Sequence, residues 1–420
     1  MTPAPTSSTG TVPRSRTRRS GVPRLRGHGL FVLGHLIDSV GNGMLLPLGL
    51  LYFTDVRGLP LAAVGVAMTV GQALALPVTF VAGRLMDRLG PKSLVVGANV
   101  LSAAGFLCFL PARELWQVSV AYLLVQAGIN AYFTAQRTLT AHVTGDGERR
   151  AWFAFTGALR NVGLAVGAGV AGLALAVFGS GALTWMIAVD AGTYLLAAAC
   201  FSTLTATPPP PDPPPASRDE RSAHARRYLL LVAATVPYVL AQAALSVLVA
   251  VYVTRALELP AWSASLLFGV NTVIVSGFST VVTARLAPAV PRRAVGAGHL
   301  LMAAAMAAFA VPALTGPGPA VWAVLVAATV LFSVAEILLG PALSELSVSL
   351  TPRAASGFTQ GLYQFAWALG MVAAPALFTS LLQAGPVVPW AAEAAACLLA
   401  FLAAPALRPS DRHRRRRPPC

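Results

Sequence analysis

Residues 153–178 read FAFTGALRNVGLAVGAGVAGLALAVF, an apolar run interrupted by one charged residue, Arg160. At about 1.5 Å per residue, a helix of this length exceeds the roughly 30 Å hydrocarbon core of a bilayer. Comparable runs recur along the chain, in which 56% of the 420 residues are hydrophobic and only 11% are charged. A helix that is apolar on every side needs lipid or a very large core around it. The sequence therefore predicts an all-α polytopic membrane protein with twelve transmembrane helices.

A proline-rich linker divides the twelve predicted helices into two groups of six. Consecutive prolines favour an extended polyproline II spacer rather than a helix. We predict a six-helix bundle at 29–204, the linker at 205–227, a second six-helix bundle at 228–407, and disordered basic tails at 1–28 and 408–420. The predicted helices span residues 29–53, 62–84, 93–111, 115–137, 152–178, 182–204, 228–253, 262–284, 294–313, 320–344, 357–383 and 387–407.

The positive charge lies almost entirely on one predicted side of the membrane. Of the 30 lysines and arginines, 26 fall in the tails and in the loops on their side, with Arg137 counted in the loop after helix 4. Translocation of Lys and Arg is unfavourable, so both termini are predicted to be cytoplasmic. The tails lack interleaved aromatic residues and a folded platform, and we expect them to contact anionic lipid headgroups rather than nucleic acid.

The sequence shows no constellation typical of an enzyme or a metalloprotein. The four cysteines have no spacing that indicates a metal site or a disulfide framework. No Walker-type phosphate loop, helical His/Glu metal pattern or Gly-x-Ser-x-Gly elbow occurs. We therefore predict that the protein is not an enzyme and uses neither a cofactor nor a metal.

The two predicted bundles carry related residues at equivalent places. Gly-x-x-Arg at 157–160 in helix 5 aligns with Gly-x-x-Gln at 361–364 in helix 11. Asp190 in helix 6 aligns with Glu393 in helix 12, and this recurrence favours a packing or capping role for both acids. Two parallel six-helix repeats around a site at the bilayer midplane are typical of transporters.

The loop between helices 2 and 3 contains the sequence GRLMDRLGPK at 83–92. Its first glycine permits close helix approach, and its Gly-Pro pair makes the tight turn that so short a loop requires. Asp87 can accept hydrogen bonds from a facing helix N-terminus or bind a cation, while the basic residues hold the cytoplasmic side. The stretch resembles the signature G-x-L-x-D-R-x-G-x-K of the major facilitator superfamily, matched at Gly83, Leu85, Asp87, Arg88, Gly90 and Lys92.

That resemblance implies two pseudo-symmetric six-helix bundles, with a loop that latches them and gates the inward opening. The alternative is that this loop only connects two helices and has no role in latching or gating. Helix 1, with Asp38 before Gly41-Asn-Gly and Pro47, resembles more narrowly the drug–proton antiporter (multidrug efflux) branch of the superfamily. Helix 5 is similarly glycine-rich but lacks the Gly-Pro pair of that branch, and helix 4 lacks the arginine that many drug antiporters have.

The resemblance implies a secondary active transporter that works by alternating access. We expect proton-coupled efflux of lipophilic or cationic small molecules by a monomer in the cytoplasmic membrane of a bacterium. A metabolite exporter or a nutrient importer of the same fold is the alternative. A membrane-embedded enzyme or a non-transporting sensor is the alternative from another class.

Three charged side chains inside predicted helices are candidates for proton coupling, because a charge within the membrane needs a partner or a purpose. Asp38 and Arg160 lie about 12–14 Å deep, so we predict that they approach each other, directly or through His35 or Asn161. Burial favours the protonated form of a carboxyl group and a nearby cation favours the ionised form, which suits reversible proton release. A static ion pair is the alternative. Glu336 is the third candidate, with an interhelical hydrogen bond as its alternative.

Uncharged polar and aromatic residues recur on the helices that the resemblance assigns to the pathway. Binding cavities combine apolar walls with a few polar groups. For each residue alone, an interhelical hydrogen bond or packing is the alternative. The substrate-cavity candidates are Asn42, Gln126, Asn130, Asn161, Gln242, Asn271, Tyr363, Gln364 and Trp367.

Overall fold

The computed structural model describes most of the predicted membrane part. The described residues are 23, 25–144, 148–205, 218–260, 262–285, 290–316, 318, 320–351 and 356–407, without the side chains of 45–48, 218–221 and 223. The predicted tail at 408–420 lies outside them, as do most of the tail at 1–28 and residues 206–217 of the linker. Nearly all described residues are helical and none of them forms a strand, which confirms the all-α class.

Twelve helices, α1 to α12, follow one another with short connections. α1 (Gly29–Leu51) ends in a π-helical turn (Tyr52–Val56), and α7 (Arg218–Ala243) continues through further turns to Ala256. α2 consists of Leu61–Leu74 and residues 78–89, and α3 spans 91–109. The others are α4 (Leu115–Val143), α5 (Arg149–Phe178), α6 (Ala182–Ser202), α8 (Trp262–Arg285), α9 (Pro291–Thr315), α10 (Ala320–Ser349), α11 (Ser356–Ala384) and α12 (Val388–Ala403).

Length and apolar composition mark most of these helices as membrane spans. Among the described residues, nine helical segments are long and apolar enough to cross a membrane. The number is ten if the bent α1 counts as one span. Two of the nine hold more than one of the twelve helices: Val78–Phe109 contains the second part of α2 and all of α3, and Arg149–Ser202 contains α5 and α6. Val78–Phe109 changes direction at Gly90, and Arg149–Ser202 joins α5 to α6 through the turn Gly179–Gly181. The twelve predicted crossings are therefore all present.

The ends of α1 and α7 are built alike, a repeat that was not predicted from the sequence. Residues 51–60 (LYFTDVRGLP) and 251–260 (VYVTRALELP) share Tyr, Thr, Leu and Pro at an offset of 200. Both stretches form a π-helical turn. The tyrosine hydroxyl of each turn donates a hydrogen bond to the end of a neighbouring helix, at the carbonyl of Leu110 (3.2 Å) or Phe309 (2.8 Å). The halves α1–α6 and α7–α12 are thus pseudo-symmetric in local geometry as well as in helix order.

Several helix boundaries differ from the prediction, and three differences are informative. α7 begins at Arg218 rather than at residue 228, and α4 continues to Val143 rather than ending at residue 137. α2 is interrupted before residue 78, next to Pro77, which has no backbone N–H to donate. Apolar composition marks where a helix crosses lipid, whereas Ala, Arg and Glu continue a helix into water by their own propensity.

The two bundles contact each other near one face of the molecule. An even number of crossings places both described ends of the chain, Leu25 and Leu407, on the same face, which we name the terminal face. Near this face α2 packs against α11, α5 against α8 and α10, and α4 against α11. The hydrogen bonds between the bundles concentrate in the same half.

Candidate functional site

The motif at 83–92 joins the two bundles at the terminal face. The Asp87 carboxylate accepts hydrogen bonds from the backbone N–H of Gly357 at 2.8 Å and the hydroxyl of Ser356 at 3.1 Å. These residues begin α11, and a helix N-terminus stabilises a carboxylate through its unpaired N–H groups and partial positive charge. Gly83 and Gly357 approach so closely that a side chain at either position would meet the backbone of the other.

The other motif residues shape the turn between α2 and α3. Gly90 has a φ of 81°, in the left-handed region that glycine adopts without a steric penalty. α3 begins directly after it, so the loop is a single residue rather than the predicted 85–92. Leu85 and Arg88 are exposed, and Lys92 is half-buried. The tight turn places Asp87 one helical turn before it, against the other bundle.

A second junction joins α5 to α8 and α10. The Arg150 Nε lies 2.5 Å from Oε2 of Glu345, and 16% and 22% of these two side chains are exposed. Deeper in the same junction, the Ser279 hydroxyl donates a hydrogen bond of 3.3 Å to the carbonyl of Ala154. The bundles are therefore held together at two separate places near the terminal face.

Arg137 of α4 is a buried cation in the interface between the bundles, with only 7% of its surface exposed. It donates hydrogen bonds of 3.3 Å to the side-chain oxygens of Gln360 and Gln364, and its guanidinium lies 4.5 Å from the ring centroid of Tyr363. All three partners belong to α11 and are uncharged. Because a buried charge is costly unless it is hydrogen bonded, these contacts tie α4 to α11.

The prediction that helix 4 ends at Arg137, whose charge we counted with the following loop, is wrong. α4 continues for six residues beyond it, so the side chain lies inside the bundle interface rather than in water. The following residues, TLTAHV, are apolar enough to have indicated this continuation. A charged residue ends an apolar run in a sequence, but it does not end a helix.

Asn130 links the interruption of α2 to the same part of α11. Its side-chain amide donates to the carbonyl of Ala75 at 3.3 Å, and its oxygen accepts from the Gln364 amide at 3.3 Å. Three predicted cavity residues, Asn130, Tyr363 and Gln364, are thus brought together around Arg137. The sequence singled them out individually but did not indicate that they share one cation.

Asp38 is buried inside the α1–α6 bundle, with 4% of its surface exposed. Asn42 donates to its backbone carbonyl at 2.9 Å and to its carboxylate at 3.4 Å. The hydroxyl of Tyr132 faces the same carboxylate and is hydrogen bonded to Nδ1 of His35 at 2.8 Å. Asp38, Tyr132 and His35 form a chain of polar groups along which a proton can be passed.

The predicted contact between Arg160 and Asp38 is not formed directly. The described residues contain no ion pair between them, and the Arg160 guanidinium instead lies 4.6 Å from the ring centroid of Phe133. Arg160 is nevertheless close enough to interact electrostatically with both Asp38 and Glu336. Asn161 is half-buried and makes no hydrogen bond to a described residue, so it does not bridge the pair.

Glu336 occupies the corresponding region of the second bundle. Its Oε2 accepts a hydrogen bond of 2.9 Å from Asn271 of α8. Gln242 of α7 also faces Glu336, and it donates to the Tyr238 hydroxyl at 3.0 Å. Trp367 of α11 packs edge-on against the Tyr238 ring, with 5.6 Å between centroids. Four helices thus place predicted candidates around one carboxyl group.

The central region therefore carries one carboxyl group from each bundle, with Arg160 near both. Gln126 takes no part in either cluster, and its side chain lies next to the Tyr122 hydroxyl of its own helix. Two carboxyl groups and one guanidinium can exchange partners when the bundles tilt, which would link proton binding to their relative position.

The sequence profile described as Major Facilitator Superfamily matches residues 31–375, from α1 into α11. The chain belongs to the major facilitator superfamily. This superfamily consists of transporters rather than enzymes, which confirms a polytopic membrane transporter of two six-helix bundles. Its signature loop is the stretch at 83–92.

Sequence relatives are similar over less than half of their length. Multidrug resistance protein MdtH of Edwardsiella ictaluri is 26% identical over 188 residues, which cover 44% of this chain and 47% of that protein. The uncharacterized MFS-type transporter YhjO of Bacillus subtilis is 26% identical over 169 residues, which cover 40% of this chain and 41% of that protein. The resemblance to multidrug resistance transporters is therefore confirmed at low identity.

Solved structures agree with the fold over most of the chain. The Escherichia coli fucose:proton symporter FucP has a TM-score of 0.71 at 17% identity, covering 92% of this chain and 100% of that chain. A bacterial homologue of the iron transporter ferroportin has a TM-score of 0.71 at 15% identity, covering 92% and 99%. At these identities the likeness establishes the fold alone.

Exchanging the charges of Arg150 and Glu345 tests the second junction. Arg150→Glu places two carboxylates together, and because partly exposed pairs contribute about 0–1 kcal/mol, we expect transport to fall only about two- to fivefold. The double variant Arg150→Glu/Glu345→Arg should recover most of that loss. Initial transport rates in reconstituted vesicles measure both. Equal loss in the single and double variants would show that the pair does not act as a unit.

Removing the charge of Arg137 tests the α4–α11 contact. Arg137→Met keeps most of the volume but deletes the hydrogen bonds to α11, so we expect transport to fall about tenfold, since hydrogen bonds to charged groups contribute about 1.5–3 kcal/mol. The melting temperature should stay the same or rise, because a buried charge is also removed. Arg137→Lys should not restore transport, since an ammonium cannot reproduce the planar fork. Wild-type rates in Arg137→Met would contradict this role.

Proposed function

We propose that this protein is a proton-coupled exporter of lipophilic or cationic small molecules that works by alternating access. The observation that carries the proposal is the pair of carboxyl groups, Asp38 and Glu336, placed one in each bundle beside Arg160. A buried carboxyl group that gains or loses a cation when the bundles tilt can bind a proton in one conformation and release it in the other.

The proposed direction of transport rests on similarity and on charge. The MdtH relatives are named multidrug resistance proteins, and the buried acids Asp38, Asp190 and Glu393, together with the half-buried Glu336, outnumber the central arginines. The aromatic pair Tyr238 and Trp367 beside Glu336 offers apolar and cation–π surface to a lipophilic cation. Acidic and aromatic groups together favour cationic over anionic substrates.

The orientation of the protein follows from its basic residues. Arg88, Lys92 and Arg150 lie at the terminal face, and basic residues are retained on the cytoplasmic side. We therefore place the terminal face, both termini and the tails in the cytoplasm, with the basic tails against anionic lipid headgroups. The described structure, joined at this face, then corresponds to a conformation closed toward the cytoplasm. The proposed setting is a bacterial cytoplasmic membrane, with the protein acting as a monomer.

Transport by purified protein in proteoliposomes tests this proposal. In vesicles with an acidic interior, we expect the pH gradient to drive uptake of cationic dyes by those protein molecules whose cytoplasmic face points outward. This uptake should collapse when a protonophore is added. A panel of cationic dyes and neutral antibiotics should be compared in vesicles with and without protein. If folded protein moves none of them, the drug-export proposal fails and a metabolite exporter or nutrient importer of the same fold takes its place.

A further inference from the structure

A polar cavity lies inside the first bundle, apart from the interface between the bundles. It lies between α1, α3, α4 and α6 and leaves no room for a water molecule. Gly41 and Gly128 make this arrangement possible, because added side chains there would meet Tyr194 and Ser102 respectively. The residues that line the cavity are Asp38, Asn42, Asn99, Ser102, Ile129, Tyr132, Phe133 and Tyr194.

Two deeply buried polar groups of this lining have no partner. Asn99 and Tyr194 are each 1% exposed, and neither Oδ1 of Asn99 nor the Tyr194 hydroxyl has a hydrogen-bond partner within the structure. The Asn99 amide nitrogen donates to the carbonyl of Val95 at 2.9 Å, so its oxygen remains as the available group. Buried polar atoms are nearly always paired, and these two therefore indicate a ligand or a further partner.

Two acidic side chains lie at or beside the cavity. The carboxylate of Asp38 is on its wall, and Oδ2 of Asp190, beside Gly41, also lacks a partner. Asn42 supplies one long donation of 3.4 Å to Asp38, and the Tyr132 hydroxyl also serves His35. No cationic side chain among the described residues lines the cavity, and Arg160, which interacts electrostatically with Asp38, is not part of the lining.

The second bundle does not repeat this chemistry. At the offset of 200, Asp38 and Asn99 correspond to Tyr238 and His299. The local geometry is kept. The Asn99 amide donates to the carbonyl of Val95 at 2.9 Å, and Nδ1 of His299 lies at the same distance from the carbonyl of Val295. Packing at these positions therefore does not require an acid or an amide, and the oxygens of the first bundle need another explanation.

The ligand set and the available space indicate a small monovalent cation. Carboxylate, amide and hydroxyl oxygens are ligands of hard cations, whereas Ca²⁺ takes six to eight oxygens and Mg²⁺ usually retains several waters. Because the lining leaves no room for a water molecule, an ion must enter without its hydration shell. From this geometry we propose that the cavity binds one Na⁺ ion through Asp38, Asn99 and Tyr194.

This inference goes beyond the proposed function, because ion binding is measurable without substrate or a pH gradient. Purified full-length protein in detergent is titrated with NaCl, with choline chloride holding the ionic strength constant, and ²²Na⁺ binding is measured at equilibrium. We expect about one site per chain and a saturable rise in melting temperature with Na⁺ that KCl and choline chloride do not produce. No ²²Na⁺ binding by the folded wild type overturns the proposal without recourse to any variant.

Two variants locate the site. Tyr194→Phe and Asn99→Ala each remove one proposed ligand, and each should weaken Na⁺ binding about tenfold or more, as expected for a lost buried partner. Tyr252→Phe is the matched control, since it deletes a buried tyrosine hydroxyl in the second bundle, and it should bind Na⁺ like the wild type. Wild-type affinity in both ligand variants overturns the assignment. Proton-driven transport in Na⁺-free vesicles would leave the proposed function intact whatever the binding result.

Discussion

Replacing Asp38 with asparagine abolishes gradient-driven accumulation of substrate while leaving exchange of substrate across the membrane intact. Asparagine keeps the shape of the side chain and can accept from Asn42 and Tyr132, but it cannot bind and release a proton. We expect uptake driven by a pH gradient to fall at least about tenfold, to the level of protein-free vesicles. Exchange between equal substrate concentrations on both sides requires no net proton movement and should continue at a comparable rate.

Glu393→Gln is the matched control for this prediction. Glu393 is also a buried carboxyl group, 4% exposed, but it lies in α12 next to Cys397, away from the central acids. Its replacement should preserve gradient-driven uptake. If Asp38→Asn retained full uptake under a pH gradient, Asp38 would not be the coupling residue, and Glu336→Gln would be the next variant to measure.

Replacing Gly357 with alanine should prevent the bundles from closing at the terminal face. The added methyl group would meet the backbone of Gly83 and lie 2.5 Å from the Asp87 carboxylate. Overpacking of this kind costs about 1–3 kcal/mol, which corresponds to a shift of roughly fivefold to 150-fold toward the conformation open at this face. Transport should fall accordingly, because alternating access requires both conformations.

The conformational shift is measured by electron–electron distances between spin labels at Leu89 and Arg285, both exposed at the terminal face, in a background without native cysteines. The distance should lengthen in Gly357→Ala. Gly97→Ala is the control, because a side chain there meets no atom within 4 Å. Identical distance distributions in the two variants would contradict the proposed closure.

The local features of the fold were predictable from the sequence. Apolar length predicted twelve crossings, and the Gly-Pro pair at 90–91 predicted the tight turn where the structure has a φ of 81°. The charge and position of Asp87 predicted a contact with a facing helix N-terminus, which Ser356 and Gly357 provide. The first two features depend on residues close together in the chain, whereas the partner of Asp87 lies 270 residues away.

The partners of the charges within the helices were not predictable in the same way. Arg137 meets Gln360 and Gln364, more than 220 residues away, and we counted its charge with the loop after helix 4. Arg160 lies on Phe133 instead of pairing with Asp38, although both are at similar depth. Depth follows from counting residues along a helix, but the direction of a side chain depends on how the helix is rotated against its neighbours.

By itself, the sequence determined that the chain crosses a membrane twelve times, where its signature turn lies, and which polar residues enter the apolar region. Only the tertiary structure decided which of those residues meet, which helices join the bundles, and which buried oxygens remain unpaired. The physical reason is that insertion depends on the transfer of each segment into lipid, a property of local composition. Association within lipid has no hydrophobic driving force and depends on close packing and hydrogen bonds between distant segments.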